Sequence, residues 1–136
     1  MKSAETELTV PFHDVDALGV VWHGRYVKYL EIVRCQLLES FQYGYEDMLA
    51  SGYAWPVVDL RIQYAKPLRY GQRIRLKATL AEWEYRLKIK YLITDAASGL
   101  RLSKGYTVQA AVDLNTEQMC YETPPVLWQK LGLARP

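Results

Sequence analysis

The second half of this chain alternates apolar and polar residues with a period of two. Val58, Leu60, Ile62 and Tyr64 alternate with Asp59, Arg61 and Gln63, and Ile74, Leu76, Ala78 and Leu80 alternate with Arg73, Arg75, Lys77 and Thr79. Leu87, Ile89, Tyr91 and Ile93 follow against Arg86, Lys88 and Lys90; Tyr106, Val108, Ala110, Val112 and Leu114 follow against Thr107, Gln109 and Asp113. This pattern predicts antiparallel strands with one buried face. Breaks at Pro67–Gln72, Trp83–Tyr85 and Ala96–Gly99 supply turns, and Gly105 within the last strand predicts a bulge. A shorter run, Leu8–Phe12, predicts a first strand with Pro11 at an edge or end.

One stretch has a different period. Tyr26, Leu30, Val33, Leu37 and Phe41 recur three or four residues apart, while Lys28, Glu31, Arg34, Gln36 and Glu39 mostly take the other side. That stripe predicts a helix from Tyr26 to about Gln42, stopped by Gly44. Glu46–Ala50 predicts a short further helical turn, and Val126–Leu131 a closing helix after Pro124 and Pro125. One long helix and about five strands give an α+β class, with a curved antiparallel sheet wrapped around a central helix. At 136 residues the chain suits one domain with one core, spanning residues 1–136.

Composition narrows the classes further. A net charge of +2 argues against a nucleic-acid binder. Eleven Tyr and four Trp beside two Phe suit a core with polar margins. Cys35 and Cys120 have neither metal-ligand nor disulfide-framework spacing, and Cys35, within the helix, is expected as a buried or half-buried thiol. The N-terminal run Met1–Glu7 carries acidic residues and no apolar signal core, and no apolar stretch approaches the roughly 20 residues of a membrane span. A cytoplasmic protein without membrane insertion is the expectation. Arg61, Arg73, Arg75, Lys77, Arg86, Lys88, Lys90 and Arg101 share the outward parity of their strands. Two such basic faces should repel, so back-to-back sheet stacking centred on Arg75 and Lys77 is not expected.

The candidate chemistry lies just before the long helix, in Val10–Tyr26. A helix N-terminus offers unpaired N–H donors and partial positive charge, which suit an oxyanion. Asp16, as nucleophile or general base, and His23, as its assistant, are the catalytic candidates. Gly19 reads as a tight turn, Asp14 as a structural hydrogen-bonding residue, and Glu31 as an ion-pair partner of Lys28 and Arg34. No metal cluster or cofactor motif is present.

Asp14-Val15-Asp16-Ala17-Leu18-Gly19-Val20-Val21-Trp22-His23, followed by Tyr26, Tyr29, Glu31 and Arg34, closely resembles the start of the hot-dog-fold acyl-CoA thioesterases. The likeness is to the 4-hydroxybenzoyl-CoA thioesterase family, and within it to the YbgC-type branch, whose histidine His23 matches. Pro56-Val57-Val58 and Tyr64–Gly71 resemble the same family's second strand and turn. The resemblance implies a five-stranded curved sheet around one helix, hydrolysis of acyl-CoA or acyl-carrier-protein thioesters, and Asp16 as the essential carboxylate. It further implies a homodimer or a homotetramer built as a dimer of dimers, with each site between one helix start and the neighbouring subunit. Gly19, Val21, Trp22, Gly24, Tyr26 and Arg86 are the implied substrate-binding residues; Leu18, Trp55 and Tyr64 are further candidates for shaping the pocket. No metal or cofactor is implied. Two departures stand out: Leu18 replaces a smaller residue or Met, and Glu84-Tyr85-Arg86 replaces a consecutive basic run that meets nucleotide phosphates. The alternatives are a non-catalytic acyl-thioester-binding or protein-interaction module and a hot-dog dehydratase or hydratase.

Overall fold

The computed structural model describes residues 2–134. Seven strands form in chain order: β1 (Ser3–Thr9), β2 (Tyr53–Ala54), β3 (Val57–Tyr64), β4 (Arg73–Glu82), β5 (Leu87–Asp95), β6 (Arg101–Gln109) and β7 (Val112–Asp113). Five make one antiparallel sheet in the order β1-β4-β5-β6-β3, and β2 pairs with β7. Helices α1 (Tyr26–Ser40), α2 (Tyr45–Ala50) and α3 (Pro125–Leu131) complete the structure.

The long helix buries the stripe its sequence predicts, with Tyr26, Leu30, Val33, Leu37 and Phe41 all in the core. Opposite it lie Ile74, Leu76, Ala78 and Leu80 of β4 and Leu87, Ile89, Tyr91 and Ile93 of β5. Fully burying a side chain of this size typically contributes about 1.5–3 kcal/mol. The helix packs against β1 and β4, towards one side of the sheet. Strand β3, at the opposite edge, is left largely uncovered: Val58, Leu60 and Tyr64 are exposed.

Several features differ from the sequence pattern. The first strand is Ser3–Thr9 rather than Leu8–Phe12, and Phe12 instead opens a 3-10 turn. Only Leu8 is a large apolar residue among the inward positions Ala4, Thr6 and Leu8, so the period is faint; charge strengthens the pairing. Glu7 meets Arg75 at 2.9 Å and Arg73 at 3.4 Å, and Glu5 meets Lys77 at 3.7 Å. The outer face is therefore partly neutralised rather than uniformly basic, with Arg61, Lys90 and Lys104 around a shallow depression nearer β3.

The last strand has the opposite parity to that expected. Ser103, Gly105 and Thr107 share the inner face with Ile93, Tyr91 and Ile89, and Gln109 shares it with Leu87. The cause is a bulge at Leu102: Ile93 pairs with Ser103 but Thr94 with Arg101. One extra residue moves every later side chain to the other face. Gly105 is regularly paired with Tyr91 and Ile62, so the expected bulge there is absent. Its role is close approach, since a Cβ would lie 2.2 Å from the Arg61 carbonyl oxygen.

Cys35 is exposed rather than buried, because its side of α1 faces the uncovered flank near β3 instead of β4. Among the described residues, no helix is long and apolar enough to cross a membrane.

Gly105→Ala should cost about 2 kcal/mol or more, because the clash is with backbone that neighbouring strands hold. A chemical denaturation midpoint unchanged from the native protein would refute this role for Gly105.

Candidate active site

Asp16 occupies the tip of a small hairpin pinned to the loop before β4. Its N–H donates to Val20 O at 2.9 Å, and Gly19 N–H donates back to Asp16 O at 3.0 Å. Gly19 has φ +78°, which favours glycine and lets the chain reverse here. Val21 N–H donates to Leu68 O at 2.7 Å and Tyr70 N–H to Gly19 O at 3.2 Å, fixing the hairpin to the loop. The Asp16 carboxylate is exposed, and its Oδ1 accepts Leu18 N–H at 2.8 Å. No hydrogen bond or ion pair joins Asp16 to His23.

After the hairpin, Trp22 N–H donates to Asp14 O and the chain turns into helix. His23–Arg25 forms a 3-10 turn that runs directly into α1. Arg25 N–H donates to Trp22 O and Tyr26 N–H to His23 O. The N–H groups of His23 and Gly24 have no acceptor among the described residues and are the free donors of this helix start. Gly24 has a steric role: a Cβ there would lie 2.4 Å from the Trp22 indole folded against it. The His23 imidazole lies near Trp22 and Tyr64, and Tyr64 donates to His23 O at 3.2 Å. Tyr26 packs edge-on to Tyr64, with ring centroids 4.7 Å apart. Burial raises the pKa of the Tyr26 phenol above its ordinary value.

Asp14 holds these parts together. Its side chain is buried, with Lys28 Nζ at 2.5 and 2.6 Å and the Tyr29 hydroxyl donating at 2.7 Å. Burial alone would raise its carboxyl pKa, but Lys28 and Tyr29 outweigh that effect and hold it below the ordinary value. Lys28 is therefore engaged with Asp14 rather than Glu31, whose ion pair is with Arg34 at 3.7 Å.

Arg86 lies elsewhere, at the β4–β5 turn, bound to Glu82 at 2.6 Å. The length of β4, roughly 30 Å by its residue rise, separates that turn from the end near the Asp16 hairpin. At the Arg86 end, a cavity of about 710 Å³ opens between α1, α2 and the start of β3. Trp55, Cys35 and Gln109 contribute to its walls. Among the described residues, no group of three or more His, Cys, Asp or Glu is placed to hold a metal ion.

Residues 10–131 match the thioesterase-like superfamily. The chain belongs to that superfamily. This superfamily member is 30% identical over 128 residues to the candidate esterase sll0410 of Synechocystis, covering 93% of this chain and 77% of that one. It is 36% identical over 72 residues to the candidate acyl-CoA thioesterase YneP of Bacillus subtilis, covering 53% of this chain and 52% of YneP. The matched stretch thus spans about half of YneP. Its fold is also that of Slr0204, a 1,4-dihydroxy-2-naphthoyl-CoA thioesterase from Synechocystis, with a TM-score of 0.83, 21% identity and coverage of 98% and 99% of the two chains. The α+β hot-dog expectation is borne out.

Within this thioesterase-like fold, Gly19, Val21, Trp22, Gly24 and Tyr26 gather around the hairpin and helix start. Arg86 does not join them in the same chain. Gln109, outward by its parity in the sequence, is turned inward to line the cavity because of the Leu102 bulge.

Asp14→Asn should destabilise the fold by roughly 2–3 kcal/mol, since the lost bonds are charge-assisted and one partner is buried. The depressed Asp14 pKa stabilises the fold above the unfolded carboxyl value near ~4, and this contribution fades as pH falls through the lower folded value. Urea unfolding at pH 7 and pH 3 checks both: an Asn variant as stable as the native chain at pH 7 would remove the assignment.

Proposed function

We propose that this chain hydrolyses acyl-CoA thioesters to a free acid and a thiol, with Asp16 as the essential carboxylate. The supporting observation is an exposed carboxylate, whose Oδ2 accepts no hydrogen bond among the described residues, on the hairpin that leads into a helix start bearing two free N–H donors, in a chain of the thioesterase-like superfamily. Asp16 attacks the carbonyl carbon or takes a proton from the attacking water. The His23 and Gly24 N–H groups receive the negative charge that develops on the carbonyl oxygen. Each such donor is typically worth about 3 kcal/mol to the transition state. Thiolate then leaves without needing a strong acid, and where Asp16 was the nucleophile, water hydrolyses the resulting anhydride to the free acid and restores the carboxylate.

His23 presents its backbone donor to the oxyanion and its imidazole to the entering water; this histidine also favours the finer YbgC-type placement. Val21 and Trp22 border the bound thioester, with Tyr26 beneath the helix start. A carrier-protein thioester is the alternative substrate, favoured by the lone Arg86 where a longer basic run would meet nucleotide phosphates.

The functional unit in this reading is a homodimer joined through β3. The uncovered edge supports it: Leu60 is 41% exposed although it belongs to the inner face. Antiparallel pairing of two β3 strands about a two-fold axis lays the Tyr64 end of one copy beside the Val57 end of the other. Val57 and Leu87 both pair with Gln109, so the Val57 end is also the end of the cavity and Arg86. Pairing thereby brings those features of one copy towards Asp16 and His23 of its partner.

Two outcomes are expected. Asp16→Asn should retain the native melting temperature while thiol release from acyl-CoAs falls by at least about a hundredfold; full turnover in that variant would refute the role of Asp16. Leu60→Lys, in the uncovered strand, should yield a folded monomer with little activity. Sedimentation that finds an active monomer, in either the native or the variant protein, would refute the shared site.

A further inference from the structure

The helix start that bears the two free donors is braced from the edge of the sheet. Tyr64 is the last residue of β3, and its hydroxyl donates to His23 O at 3.2 Å. Tyr26 N–H donates to the same oxygen from within the turn. A carbonyl oxygen carries two lone pairs, so both are engaged. This carbonyl and the Gly24 N–H belong to one peptide unit. The unit is planar and trans, which points its C=O and N–H in opposite directions. Two bonds on the oxygen therefore fix the direction of the Gly24 N–H, which has no acceptor among the described residues. Bonds accepted by a carbonyl also draw electron density to its oxygen, and along such chains each bond strengthens the next by about 10–30%.

The Tyr64 hydroxyl is itself held from two sides. Its backbone is fixed in the sheet: Tyr64 pairs with Ser103, whose Oγ donates to Gln63 O at 2.8 Å, and Ala65 and Lys66 N–H donate to Leu102 O at 3.2 and 2.9 Å. Its ring meets the buried Tyr26 edge-on, with centroids 4.7 Å apart. The other donor peptide lacks this brace. There Trp22 O is held from within the turn, by Arg25 N–H at 2.8 Å. The β3 edge thus acts on one donor of the pair, the Gly24 N–H.

We infer that Tyr64 is a positioning residue for thioester hydrolysis, whose hydroxyl orients and polarises the His23–Gly24 peptide so that the Gly24 N–H meets the oxyanion. This inference rests on the proposed reading in which that N–H receives the developing charge. Tyr64 acts through the peptide and leaves the reacting atoms to Asp16 and the helix start. Charge on the carbonyl oxygen grows between bound substrate and transition state. A better-directed, stronger donor therefore raises kcat and changes KM little.

Tyr64→Phe removes the hydroxyl and keeps the ring against Tyr26. Thiol release from acetyl-, hexanoyl- and benzoyl-CoA should show kcat lowered by roughly three- to tenfold, the effect of one neutral hydrogen bond, with KM nearly unchanged. The Gly24 amide nitrogen resonance should shift in the same variant without any substrate present. Replacing Tyr64 with 3,5-difluorotyrosine gives a more acidic phenol of nearly the same shape. Protonated, it donates more strongly; ionised, it cannot donate to His23 O. That protein should lose kcat as pH rises through the lowered phenol pKa, a limb that the native profile lacks there. Packing by the ring alone would produce no such limb.

Native kcat in Tyr64→Phe, a loss carried by KM alone, or an unmoved Gly24 resonance would overturn the inference. Turnover that still disappears in Asp16→Asn would meanwhile leave the hydrolase reading standing, so the two failures are distinct. A native protein that cleaves no thioester would discard both. If Tyr64→Phe does not fold, the difluorotyrosine protein decides: a pH profile identical to the native one would overturn the inference.

Discussion

Asp14 ties the candidate site to the core. Its buried carboxylate joins the hairpin that carries Asp16 to Lys28 and Tyr29, in the first turn of α1. Without that tie the hairpin would still be held to the loop before β4, but its position relative to the helix donors would be less constrained. Trp22 N–H bonds to Asp14 O, so backbone and side chain of one residue act together at the same junction. An aspartate acting on a carbonyl needs both its carboxylate and the facing donors at defined separation. Neighbouring residues thus divide the work: Asp14 supplies position, and in the proposed mechanism Asp16 supplies reactivity.

A second constraint is the off-centre seat of α1. The helix serves β1 and β4 well and leaves β3 with apolar residues on an open edge. An edge of this kind is a ready template for another strand. The cavity, Arg86 and Gln109 collect at one end of the exposed flank, while Asp16, His23 and Tyr64 collect at the other. In the proposed dimer a two-fold partner would reconcile those opposite ends, because antiparallel pairing brings unlike ends together. The same geometry explains how Arg86 can lie far from Asp16 in one chain and still belong to the proposed site.

Much of this architecture was legible in the sequence because strong periodicity survived folding. The α1 stripe and the inner residues of β4 and β5 occupy the core as their spacing indicates. Less was legible where another force replaced hydrophobic patterning. In β1, Glu5 and Glu7 align with basic residues of β4, and this charge matching accompanies a weak apolar signal. In β6, one inserted residue at Leu102 turned a regular apolar run outward and brought Ser103, Thr107 and Gln109 inward. The hairpin and helix start were conspicuous through Asp16, Gly19 and His23, whereas the cavity required strands distant in sequence. A period of two reports alternation; it carries no information about where the register slips.

The Trp22 indole has a use apart from the chemistry. It is half exposed and lies against Gly24 with His23 at its side, whereas Trp55 and Trp128 are buried and Trp83 is partly covered. Its emission is therefore the most open to solvent and the nearest to the free helix donors. A protonated imidazole beside an indole withdraws excited-state electron density and quenches fluorescence, while a ligand that excludes water shifts emission to shorter wavelength. The packing of the indole over Gly24 thus also equips the chain with an intrinsic optical reporter at the helix start.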